Sequence, residues 1–121
     1  MPRFFSFSLR RMLFGILLGA TASAVLADSS GIQAGTLAMS ELGRLNGIAL
    51  ACQQPALTAR LREIVITVAP KEREIGEQFE QATNQSFLAQ GQKAQPCPDG
   101  KALATQIDAA EISLKQAFPK P

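Results

Sequence analysis

Residues 36–52, Thr-Leu-Ala-Met-Ser-Glu-Leu-Gly-Arg-Leu-Asn-Gly-Ile-Ala-Leu-Ala-Cys, decide how this chain folds. Ala38, Leu42, Leu45, Ala49 and Cys52 recur at intervals of 4, 3, 4 and 3. That spacing places them on one face of an α-helix, running from about Thr36 to Cys52. Gly43 and Gly47 stand one turn apart on the same helix. Each disfavours the helix by up to about 1 kcal/mol relative to Ala, so something must offset them. Close approach of a neighbouring helix backbone does so most simply; a groove or partner contact is the alternative.

Downstream, the pattern repeats. Pro55 occupies a first-turn position. Leu57, Leu61, Ile64 and Val68 then mark a second helix to about Val68, whose face is widened by Val65 and Ile66. This width predicts the most buried helix of the set. Pro70 ends it and opens a third helix, about Lys71 to Gln90, with Ile75, Phe79 and Ala82 inward and Phe87 to one side. Gly91 to Pro98 reads as a loop, broken by Pro96 and Pro98 around Cys97. Asp99 is an N-cap candidate for a fourth helix carrying Leu103, Ile107, Ala110, Leu114, Ala117 and Phe118. No strand alternation and no internal repeat is present. The expectation is an all-α, four-helix bundle over residues 36–118, with a short tail at 119–121.

Upstream, the chain reads as an export leader. Arg3, Arg10 and Arg11 precede an apolar run from Met12 to Leu18, which fades into small residues and ends at Val25-Leu26-Ala27 before Asp28. That is the layout of a cleavable secretory signal over residues 1–27, cut between Ala27 and Asp28. Ala22 and Ala24 offer a second cut. The run is shorter than the roughly 20 residues of a spanning helix, so the mature chain is not expected to cross a membrane. No Cys follows the run, which argues against a lipoprotein signal. Arg10-Arg11 admits a twin-arginine route, but its flanks suit general secretion better. Residues 28–35 are small and polar and predict a flexible new N-terminus. The destination is then the periplasm or the medium.

Removing the leader changes the charge balance. Of 12 basic residues, three leave with it, so nine face ten acids and the mature net charge is −1. A basic patch for nucleic acid or an anionic membrane surface is not indicated. Cys52 and Cys97 are the only cysteines. In an oxidising compartment they predict one disulfide. It would close a loop of about 46 residues, worth about 4 kcal/mol in the chain-entropy estimate. Reactive thiols are the alternative, but there is no CxxC motif and no His anywhere in the chain.

The absence of His also removes a Ser-His-Asp triad, a haem attachment motif and a His-containing zinc site. No Gly-rich phosphate loop is present. Glu72, Glu74, Glu77 and Glu80 could suggest acid/base or Ca²⁺ chemistry. They alternate with Lys71 and Arg73 at a helix start, where negative charge is favoured anyway, and their spacing fails the EF-hand pattern. Arg73 and Glu77 are one turn apart and can pair. Arg44, Arg60 and Arg62 are candidate contacts for an anionic ligand if they converge. Asn84-Gln85-Ser86 matches a glycosylation pattern but falls inside a predicted helix. No catalytic residue, metal or cofactor is assigned.

The layout is similar to that of the HdeA-type periplasmic acid chaperones. The shared features are a leader, a mature helical chain of under about 100 residues, and two cysteines some 45 residues apart. The resemblance covers architecture alone and carries over no functional residue. It implies client protection in acid, when the carboxylates protonate and the nine cations remain. The leading expectation is an exported, non-enzymatic interaction module: an accessory subunit, chaperone-like factor or inhibitor. Its partner would be another exported or envelope protein, or a second copy of the chain as a homodimer. A small-ligand or ion binder is the second expectation.

Overall fold

The computed structural model describes residues 23–121 apart from Ala94; residues 1–22, most of the leader reading, lie outside the described residues. Four helices follow in order: α1 (Ser23–Ala51), α2 (Pro55–Val68), α3 (Arg73–Gln92) and α4 (Gly100–Ala117). Among the described residues there is no strand. The chain is an all-α, four-helix fold, as the periodicity predicts, with the one disulfide expected of its two cysteines.

Most helix ends sit where local chemistry puts them. Pro55 is in the first turn of α2, and Ala69 stops that helix with extended backbone (φ −71°, ψ 144°). A residue before proline is disfavoured in helical geometry, and Pro70 follows. Here Pro70 belongs to the connection, so α3 opens at Arg73 rather than Lys71. Asp99 caps α4: the Ala102 N–H donates to Asp99 Oδ1 at 2.7 Å. α1 turns off through Gln53, which takes a left-handed φ of 54°, while the Gln54 N–H donates back to the Ala49 carbonyl at 2.9 Å.

α1 begins earlier than expected. Residues 28–35 are helical, where a flexible segment and a start at Thr36 are predicted. No proline interrupts this stretch, and its far end is held. The tip of the Phe118 ring packs on Gly35, and a Cβ there would come within 2.2 Å of the ring. The expected cut after Ala27 falls inside the first turns of this helix.

α1 is the hub. It packs against all three other helices; α2 and α4 also touch each other, while α3 touches only α1. The core joins Met39, Leu42 and Leu45 of α1 to Leu61 of α2 and to Leu103, Ile107 and Leu114 of α4, all fully buried. The expectation that α2 is the most buried helix is therefore corrected. Ile66 on α2 is 64% exposed, because α1 and α4 cover one stripe of α2 and no helix covers its other side.

The α1–α3 contact is made by small residues. A Cβ on Gly43 would lie 2.5 Å from the Phe79 carbonyl oxygen, and one on Gly47 would lie 2.5 Å from that of Thr83. The close-approach reading of these glycines holds. Polar ties cross the same seam: the Ser86 hydroxyl donates to the Arg44 carbonyl at 2.7 Å, and Gln78 Nε2 donates to Ser40 Oγ at 2.7 Å. The Cys52–Cys97 disulfide, with its Cα atoms 5.7 Å apart, ties the end of α1 to the loop before α4.

Two stability predictions follow from this packing. Gly→Ala in a helix interior ordinarily stabilises by about 0.5–1 kcal/mol. Gly76→Ala, which meets nothing within 4 Å, should do so. Gly47→Ala meets backbone and should instead destabilise by about 1–3 kcal/mol. Chemical denaturation separates the two, and equal signs would contradict the seam. Replacing Cys52 and Cys97 together by Ala should lower stability by about 2–4 kcal/mol; an unchanged midpoint in urea would show that the staple is idle.

Candidate functional site

The three arginines singled out from the sequence meet different fates. Arg44 on α1 is held by Glu41 one turn earlier: its Nε donates to Oε2 at 2.9 Å and its Nη2 to Oε1 at 2.7 Å. Nη2 also reaches Gln106 Oε1 on α4 at 3.2 Å. Arg60 on α2 pairs across to α4, with Asp108 and with Glu111 at 3.3 Å. Both therefore serve helix–helix contacts. Arg62 is exposed and joins no ion pair among the described residues.

The carboxylate-rich start of α3 is a solvated face. Glu72, Glu74, Glu77 and Glu80 are exposed, and Arg73 pairs with Glu77 at 3.0 Å as the one-turn spacing predicts. Among the described residues no group of His, Cys, Asp or Glu is arranged to hold a metal ion. No described helix is long and apolar enough to cross a membrane.

The face that gathers features of interest centres on Leu50, near the end of α1. Because α3 touches α1 but not α2, the α1 surface between them stays open. Towards α3, Leu50 lines a groove with Phe87, Leu88 and Gly91. Towards α2 it lines another with Thr58, Ala59 and Arg62. A third pocket, about 310 Å³, adds Asn46, Phe79, Glu80 and Thr83. Phe87 and Leu88 are 45% and 55% exposed and Leu50 is 38% exposed. Sequence reasoning passed over Leu50, Leu88, Asn46 and Thr83. Asn46 carried a usable signal: it falls one turn after Leu42, a polar amide on the apolar face.

The electrostatics of the ion pairs are oriented towards acid sensitivity. The hydrogen bond from Arg44 holds the Glu41 carboxyl below its ordinary 4.5, against partial burial that pushes it up. Glu111 is held down first by the hydrogen bond from Lys115, against burial, and then by Arg60; Lys115 Nζ lies 2.6 Å from its carboxylate. A carboxyl depressed in the folded state contributes stability that is fully present above its unfolded value and lost as the pH falls through the folded one. The melting temperature should thus decline below about pH 4.5. Glu111→Gln should lower it at neutral pH and make the acid decline shallower. Calorimetry across the acid range checks this, and parallel curves for the two proteins would contradict the assignment.

Comparison of the chain with protein-family models, with curated proteins and with solved structures finds no match in any of the three.

Proposed function

We propose that this chain is an exported, non-enzymatic interaction module that docks a partner through the apolar surface around Leu50, Phe87 and Leu88. The observation that carries the reading is that these three large apolar side chains, all exposed, line one groove. That groove also holds Ala51, Gln53, Gly91 and Gln92 and has no charged residue in its lining. Apolar side chains scattered singly over a surface need no explanation, but a contiguous cluster rimmed by polar groups marks contact sites. Glutamines are a fitting rim, because they bond to a partner without the desolvation cost of a charge.

The groove also lies where the scaffold is braced. Leu50 precedes Cys52 by two residues, and the disulfide holds that end of α1 to the loop before α4. A docking surface on a braced element loses less freedom on binding. The leader of residues 1–27 and the paired cysteines suit an oxidising compartment, and we place the chain in the periplasm or the medium. The partner is then another exported or envelope protein.

The test is site-specific photocrosslinking in cells that make the full precursor. A photoreactive residue at Phe87 or Leu88 should give discrete adducts, while one at Ile66 on the bare side of α2 should give none. Adducts equally strong at all three positions, or absent from all, would sink the proposal. An adduct of twice the chain mass identifies a homodimer. Protection of an aggregating client at about pH 2 but not at pH 7 would favour the acid-chaperone form instead.

A further inference from the structure

Beside the apolar groove, and independent of the docking reading, lies a pocket with a different chemistry. Its wall includes Asn46, which is 3% exposed. A buried amide is tolerated when its polar atoms are bonded. Asn46 Nδ2 donates to Thr83 Oγ1 at 3.2 Å, but Oδ1 accepts no hydrogen bond among the described residues. Exchanging the two ends of the amide lets Oδ1 accept from the Thr83 hydroxyl and strands the NH₂ instead. Either arrangement leaves one end of Asn46 unused.

Two more groups line the same pocket. Arg62 stands on α2 and Glu80 on α3, and neither forms an ion pair among the described residues, with the other or with any third group. Leu50 and Phe79 supply apolar wall between them. A cation on one helix and an anion on the other, with the Asn46 side chain in the wall between them, form a complementary set for a molecule carrying both charges. The cleft is open to solvent on one side, and its volume of about 310 Å³ is at the small end of ligand pockets, which run from about 300 to 1,000 Å³. We propose that this pocket binds a small zwitterion with an apolar side group, of the free α-amino-acid type. Its carboxylate sits on the Arg62 guanidinium, whose planar fork matches it. Its ammonium faces Glu80, and its side group lies between Leu50 and Phe79. Arg44 and Arg60 take no part, since their charges are already met by Glu41, Asp108 and Glu111.

Isothermal titration of the intact, disulfide-bonded protein tests this with L-leucine and L-phenylalanine as probes. N-acetyl-L-leucine, which lacks the ammonium, and L-leucinamide, which lacks the carboxylate, are the comparisons. At least one free amino acid should bind one to one, with each blocked form weaker by roughly tenfold or more. Arg62→Ala and Glu80→Gln alter exposed side chains, so each should cost roughly tenfold in affinity with the melting temperature of the free protein unchanged. Leu88→Ser should leave this binding intact while abolishing crosslinks at Phe87, which separates the pocket from the docking surface. No binding of either amino acid at millimolar concentration overturns the proposal. So does equal binding of a blocked form, or binding indifferent to Arg62→Ala.

Discussion

α3 lies directly on α1 because Gly43 and Gly47 present no side chain there. With the Phe79 and Thr83 carbonyls 2.5 Å from where a Cβ would stand, the two backbones are closer than any other residue pair would permit. That proximity does three jobs. It allows a helix with few buried apolar residues, Ile75 chief among them, to be held by dispersion over a long seam. It fixes the position of α3 along α1, since the notches accept the partner in one register. It also keeps α3 off α2 and α4, which is why the Leu50 face is open. The helix-propensity cost of two glycines is thus offset by a contact unavailable to alanine.

The remaining helices obey different physics. α2 and α4 close on α1 through ordinary apolar interdigitation: Leu61, Leu103, Ile107 and Leu114 are all fully buried. Their outer edges are tied by Arg60 to Asp108 and Glu111. Such exposed pairs contribute little individually, and they border a contact whose facing sides are set by the apolar stripes. The molecule therefore has an apolar half, α1–α2–α4, and a close-backbone half, α1–α3, with α1 common to both.

Much of this is legible in the sequence, and the reason is locality. The buried stripes of α1 and α4 follow from a 3.6-residue repeat. The cap at Asp99, the proline at the start of α2 and the Arg73–Glu77 pair each involve residues within a turn or so of one another. The Cys52–Cys97 pair was readable because no other cysteine competes. What was not legible depends on distant partners. Nothing near Arg60 announces Asp108, 48 residues on, so Arg44, Arg60 and Arg62 looked alike until their neighbours were known. Ile66 seemed to widen a buried face because the pattern cannot say how many helices cover it. The early part of α1 meets Phe118 at Gly35, a contact between opposite ends of the described chain. Asn46 is the intermediate case: its buried position could be read from spacing, but its unused carbonyl could not.

The disulfide has one more consequence, which concerns covalent topology rather than stability. Cys52 and Cys97 bracket all of α2 and α3, so these two helices lie within a closed covalent ring, while α1 and α4 are its free arms. A single backbone cut anywhere between the two cysteines, in the connection at 69–72 or the loop before Pro98, opens the ring without releasing a fragment. A protease that cuts there nicks the chain rather than dismembering it. Both halves stay attached to the helix on which everything else is packed.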